Sequence, residues 1–308
     1  TLIAMEKARR LARAGFDVLF VCYNRQLALW AAAAIKDGSF PAQRVKVRHF
    51  HGLADDACAA AGIALFSNPQ SPDWENVPAR MVAALAQSPM RFDAIVADEG
   101  QDFRAEWWLI LMSELLKNPD EDPFYVFYDA NQLIYHETLE LPAELPPYPL
   151  VHNLRNTRQI YEEVVRYYQG DPAPECAGPE GVAIVRISEP TTKGLRHALN
   201  ELINEQKVPA SEIIVLTGRS QEKSELQEGQ RLGNIALTWL PPKPPEVQVA
   251  TVHSFKGLEK RVVILVELDH YFRDEDDKPD RSELGRSLLY IGASRATHHL
   301  VLIGTEPA

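Results

Sequence analysis

The sequence predicts an α/β protein built on parallel sheets with helices on both faces. Three observations carry that prediction. Short, almost wholly apolar runs recur along the chain, polar or glycine-bearing turns follow several of them at once, and segments of helical length and composition fall between them. Strands buried on both faces are near-continuously hydrophobic. Strands that alternate with helices form parallel sheets covered on both sides.

Residues 2–14, rich in Ala, Leu, Lys, Arg and Glu, read as a helix, with Gly15 where a C-cap belongs. Residues 17–22 form the first strand candidate and lead into Tyr23-Asn24-Arg25. The run 92–97 is the next and ends on Asp98-Glu99-Gly100-Gln101-Asp102. A helix is expected over 107–116, then a strand over 124–128 leading into Asp129-Ala130-Asn131-Gln132. Helical patterns at 160–168 and 195–205 precede a strand at 213–216, and further buried strands are expected at 262–266 and 300–303. The interval from Thr217 to Ala250 reads as a short polar stretch with a stiff loop at Pro241-Pro242-Lys243-Pro244-Pro245.

A chain of 308 residues suggests two domains. The stretch 141–149 is too proline-dense for a helix or inner strand, so the expected domains are 1–149 and 150–308. A hydrophobic fraction of 45% suits ordinary globular cores, and no apolar run approaches the ~20 residues that span a bilayer. Cys22, Cys58 and Cys176 are odd in number and lack a CxxC, which fits reduced thiols and a cytoplasmic protein with no membrane partner. The net charge of -11 argues against a generally basic coat but leaves room for a local basic groove. The run Arg273-Asp274-Glu275-Asp276-Asp277 reads as a solvated loop rather than a metal site.

Open α/β sheets bind ligands beyond the carboxyl ends of their strands. Asp98 and Glu99 stand at such an end, where one carboxylate can hold a nucleotide's Mg²⁺ and the other can orient water. Two adjacent acids alone fit a solvated acidic loop equally well. Their companions decide. In order they are Tyr23-Asn24-Arg25, Phe50-His51-Gly52, Asp98-Glu99-Gly100-Gln101-Asp102, Asp129-Ala130-Asn131-Gln132 and Asn153-Leu154-Arg155. Thr251-Val252-His253-Ser254-Phe255-Lys256-Gly257-Leu258-Glu259 and Tyr290-Ile291-Gly292-Ala293-Ser294-Arg295-Ala296 follow. This series resembles the UvrD/Rep/PcrA family of superfamily 1 DNA helicases. The Thr-x-His-x-x-Lys-Gly-Leu-Glu segment is highly specific, the DExQ form moderately so, and the resemblance covers nearly the whole chain.

The resemblance implies two RecA-like parallel-sheet domains, ATP and Mg²⁺ as cofactors, and single-stranded DNA or a partial duplex as partner. It implies Asp98, with Thr1, as the Mg²⁺ site and Glu99 as the base that activates water. Gln101 and Gln132 would sense the γ-phosphate, and Arg155 and Arg295 would reach it. Gly257 would let backbone approach the phosphates, and Glu259 would bond the ribose. Tyr23, Asn24, Arg25, His51, Tyr135, Thr251, His253 and Lys256 would lie along the strand path. Read individually, Tyr135 is as much a core aromatic as a stacking platform, and His51 and His253 read as hydrogen-bonded structural histidines.

Three departures qualify this expectation. No GxxxxGK[ST] loop occurs in the 308 residues, and Thr1 stands where the last residue of such a loop would be. Domain one is therefore expected to lack its first strand and phosphate-binding loop, with an upstream segment absent and the chain as given inactive as an ATPase. Leu154 replaces the tyrosine usual before Arg155, and Glu137-Thr138 replaces the usual Trp-Arg. The intact protein is expected to be a DNA-dependent ATPase, a 3′-to-5′ translocase or helicase. A non-catalytic nucleic-acid-binding module, and a P-loop motor acting on RNA, stay open as alternatives.

Overall fold

The computed structural model describes residues 1–36, 41–135, 138–271 and 281–305. Glu137 and the acidic run 273–277 lie outside them. The chain divides into two compact units, Thr1–Pro147 and Tyr148–Ala308. Each is built on a mainly parallel sheet with helices packed against it.

Unit one comprises α1 (Leu2–Arg13), β1 (Val18–Cys22), α2 (Arg25–Lys36), β2 (Val45–His49), α3 (Phe50–Ala60), α4 (Val77–Gln87), β3 (Ala94–Asp98), α5 (Ala105–Leu109) and β4 (Phe124–Val126). Its four strands run parallel in the order β2-β1-β3-β4. Side chains alternate across a strand. Leu19, Val21, Ile95 and Ala97 therefore share one face, packed against Phe50, Leu53 and Ala57 of α3 and Met81 of α4. The helices α1 and α2 pack along β1 and β2, and α1 also along β3. Cys22 is level with both His49 and Asp98, so β1, β2 and β3 end together. That shared edge is where Tyr23, His51 and Glu99 emerge.

Unit two comprises β5 (His152–Asn153), α6 (Arg158–Val164), β6 (Glu175–Cys176), β7 (Val185–Ile187), α7 (Thr191–Leu199), β8 (Ile213–Thr217), β9 (Arg231–Leu232), β10 (Ile235–Thr238), β11 (Val247–Thr251), β12 (Lys260–Val266), α8 (Arg281–Ser294) and β13 (Ala296–Ile303). Its main sheet has the order β7-β13-β12-β8-β11-β10-β9, with β9 antiparallel to β10 and every other pair parallel. The strands β5 and β6 form a separate parallel pair. Leu195 and Leu199 of α7 pack on Val215, Val249 and Ile264, while α6 and α8 pack along β13, and α8 also along β12.

Two expectations need correction. The interval from Thr217 to Ala250 is not simply polar loop, because it contributes β9, β10 and most of β11. Leu232, Ile235, Leu237 and Val247 are buried against the α7 face, and burying them is what draws this segment onto the sheet edge. The helices expected at 107–116 and 195–205 each begin as α and finish as wider π turns, at Ile110–Glu114 and Asn200–Glu205.

Candidate nucleotide and nucleic-acid sites

The β3 strand ends on buried Asp98, and the backbone turns at Glu99, which is left-handed at φ 55° and ψ 44°. A non-glycine residue there costs on the order of 1–3 kcal/mol and persists only where its surroundings hold it. Gly100 follows and donates its N–H to the Phe127 carbonyl at 2.8 Å. A Cβ on Gly100 would stand 2.5 Å from Val126 Cγ1, so glycine is what lets the turn lie against the end of β4.

From this turn a chain of hydrogen bonds runs to the next strand's loop. Gln101 Nε2 donates to Glu99 Oε2 at 2.7 Å, and Gln101 Oε1 accepts from the Asp129 N–H at 3.0 Å. Asp129 Oδ2 in turn accepts from Gln132 Nε2 at 2.8 Å, and Asp129 Oδ1 from the Asn131 N–H at 3.0 Å. Glu99, Gln101 and Gln132 are thereby brought into one network, with Asp129 as the joint that the motif order alone did not single out.

Burial raises the pKa of Asp98, and the Glu99 charge adds to the rise. Among the described residues, neither Asp98 Oδ2 nor Thr1 Oγ1, both buried, meets a hydrogen-bond partner. Buried polar atoms are normally paired. Carboxylate and hydroxyl oxygens are hard donors of the type Mg²⁺ takes, and Mg²⁺ usually rests on one or two protein oxygens plus phosphates and water. Among the described residues no cluster of three or more His, Cys, Asp or Glu could hold a metal by itself.

Beside the acids lies an aromatic row. Tyr23 stands 4.9 Å from Tyr135 and 6.0 Å from Trp107, ring centroid to centroid, and His51 lies 5.3 Å from Trp107. Burial, with help from His49 and Arg104, lowers the His51 pKa to about 4, so this ring is neutral at pH 7. Asn24 Oδ1 accepts from the N–H groups of Gln26 and Leu27 at 2.7 and 3.2 Å, capping α2. Arg25 is exposed. Sequence reasoning missed Trp74, Trp107 and Arg104 here. A signal existed for Trp74, a lone large aromatic within the polar stretch Pro72-Asp73-Trp74-Glu75-Asn76.

Unit two carries the remaining motifs. Arg155 Nε meets Glu259 Oε2 at 3.1 Å, so two residues assigned separate roles pair with each other. Asn153 Oδ1 accepts from the N–H groups of Arg155 and Asn156 at 3.1 Å each. Asn156, also missed, donates to the Ser294 and Ala296 carbonyls at 3.2 and 2.7 Å, tying this turn to the end of α8. Arg295 is 0% exposed and donates to the Ile291 and Leu258 carbonyls at 3.1 and 3.3 Å. Gly257 has φ +83°, a conformation that favours glycine. Thr251 Oγ1 bonds Ser254 Oγ and its N–H, both at 3.0 Å. Burial, then Lys256, lowers the His253 pKa. Lys256 itself, expected along the strand path, is 1% exposed.

Residues 246–303 match the family described as the UvrD-like helicase C-terminal domain. The UvrD-like segment runs from the start of β11 to the end of β13 and contains Thr251, His253, Lys256, Gly257, Glu259 and Arg295. Among solved structures, the chain is similar to the C-terminal domain of a possible DNA helicase from Lactobacillus plantarum WCFS1, at 18% identity and a TM-score of 0.36 over 49% of this chain and 87% of that one. It is also similar to the PRRSV helicase, at 12% identity and a TM-score of 0.43 over 98% of this chain, and it spans 54% of that protein's length. No curated protein matches the chain. No helix among the described residues is long and apolar enough to cross a membrane.

Proposed function

We propose that this chain is the motor core of an ATP-dependent helicase or translocase that moves 3′ to 5′ along single-stranded DNA. The observation that carries the reading is the hydrogen-bonded network Glu99–Gln101–Asp129–Gln132 next to buried Asp98. The UvrD-like stretch supports it.

Phosphoryl transfer is catalysed by positioning and by charge stabilisation. Bound Mg²⁺ would supply positive charge at phosphate oxygens, and Asp98 with Thr1 would hold it. Glu99 takes the proton of the attacking water, while Gln101 fixes the carboxylate by holding Oε2. Because Gln101 also accepts the Asp129 N–H, a change at Glu99 is felt in the Asp129–Gln132 loop. Arg155 and Arg295 act on the phosphates, Gly257 gives backbone access to them, and Glu259 bonds the ribose. Tyr23, Tyr135, Thr251 and His253 contact the strand.

The 308 residues contain no GxxxxGK[ST] loop, so by themselves they hydrolyse ATP at background rate. Joined to a phosphate-binding loop ahead of Thr1, the chain gains turnover stimulated by single strands. In that protein Glu99→Gln keeps an acceptor for Gln101 and keeps nucleotide binding, but loses turnover because the base is gone. Wild-type kcat in Glu99→Gln, or DNA-stimulated hydrolysis by the 308-residue chain alone, overturns the assignment. Stimulation by RNA in place of DNA redirects the substrate.

A further inference from the structure

Trp74 has no part in any motif, yet it extends the aromatic row of unit one. It sits in the segment between α3 and α4, 54% exposed. Its ring meets His51 edge-on at 5.0 Å and Phe66 at 4.8 Å. Phe66 packs against the core of the unit, so the indole is held from beneath while much of its surface stays in water. A large exposed aromatic held in place this way presents a rigid apolar surface at low entropic cost.

The row then runs Trp74, His51, Trp107, Tyr23, Tyr135, each ring within 6.0 Å of the next. His51 is neutral within it, so its outer end at Trp74 and His51 offers rings, while Asp102 acts on Tyr23 and Tyr135 at the inner end. Cations stand at its border. Arg104 acts electrostatically on both Tyr23 and His51, and Arg25 acts on His49. Both arginines are exposed, and among the described residues neither side chain has an ion-pair partner. In a chain of net charge -11, two exposed cations with no ion-pair partner among the described residues are a local exception beside this row, whose middle member Trp107 is buried. Aromatic faces flanked by free cations match a ligand that alternates flat bases with phosphates, and such binding tolerates any base sequence.

We propose that Trp74 is a base-stacking residue for single-stranded DNA, with Arg104 and Arg25 taking the adjacent phosphates. The proposal rests on the translocase reading above and adds to it a residue outside the recognised motifs. It places the outer end of the strand-binding surface on the segment between α3 and α4.

The test measures binding of the full 308-residue chain to a labelled short oligothymidylate by fluorescence anisotropy, beside an abasic strand of equal length. Trp74→Ala is expected to weaken oligothymidylate binding roughly 5- to 100-fold, the equivalent of one lost base stack. Trp74→Phe should recover much of that loss, and on the abasic strand Trp74→Ala should bind like wild type. Arg104→Gln should weaken binding to both strands alike and reduce its salt dependence. Unchanged oligothymidylate binding by Trp74→Ala overturns the inference, and so does an equal loss on the abasic strand, which would mark a structural role. Wild-type chain that binds no single strand defeats the translocase reading itself, a result distinct from either.

Discussion

Glu99 in unit one and Glu267 in unit two occupy the same local structure and live in different chemistry. Each follows an inner strand whose last five residues are buried, each is left-handed at φ 55° and 60°, and each precedes a three-residue 3-10 turn. Glu267 is completely buried and saturated. It accepts from the Thr217 hydroxyl, from Ser224 Oγ at 3.0 Å and from the Glu225 N–H at 2.8 Å. These donors come from the end of β8 and the loop beyond it, so the carboxylate staples that loop to β12. Glu99 instead shares its turn with a second buried carboxylate, Asp98, one of whose oxygens has no partner. A strained glutamate at a strand end is therefore not itself a mark of catalysis. What separates the two turns is whether the acceptors around them are filled.

The largest test of that contrast is Glu267→Ala, which strands two buried hydroxyls and a part-buried N–H. It should destabilise the chain by about 3 kcal/mol or more in urea or thermal unfolding, whereas Glu99→Gln should change stability by about 1 kcal/mol or less. Comparable losses at both positions would break the distinction. Next in size is the residue after each glutamate. Leu268 is accommodated in unit two, but Gly100→Ala should cost about 1–3 kcal/mol through overpacking against Val126. A melting temperature unchanged in Gly100→Ala would show that β4 moves aside freely.

A smaller effect of opposite sign is expected at Asp98. Its folded pKa is raised, so its charge opposes folding at neutral pH. Asp98→Asn should stabilise the chain by about 1 kcal/mol at pH 7. That gain should shrink as pH falls through the folded pKa of Asp98, where the wild-type carboxyl takes up its proton and stops opposing the fold. A gain constant from pH 7 to 4 would place the effect elsewhere. The smallest is a slope. His51 titrates at about 4 when folded and near 6.5 when unfolded. Its contribution is whole above the unfolded value and is lost as pH drops from there toward the folded one. His51→Gln should flatten that fall in stability, and an unaltered profile would mean that His51 is protonated within the folded ring row.

Much of the architecture was legible because apolar runs such as 17–22, 92–97, 213–216 and 262–266 admit few alternatives to buried parallel strands. The acidic turn after β3 and the Thr-x-His-x-x-Lys-Gly-Leu-Glu segment were equally plain, since their meaning lies in contiguous residues. The interval from Thr217 to Ala250 was misread because its prolines and polar residues mask Leu232, Ile235 and Leu237, which become core only once α7 faces them. Trp74 passed unnoticed because an isolated tryptophan has no meaning until Phe66 and His51 are found beneath it. Glu267 reads as one acid between Val266 and Leu268, and nothing nearby announces its role.

The sequence by itself determined the alternation of strands and helices, the strand ends that carry polar turns, and the order of the motifs on them, because each depends on neighbours a few residues apart. Tertiary structure alone decided which of those polar groups are satisfied. Glu267 takes its donors from 50, 43 and 42 residues away, and Gln101 reaches an Asp129 N–H 28 residues on. Whether such a partner arrives depends on sheet register and on which faces the helices cover. A buried oxygen is staple or ligand according to that arrival.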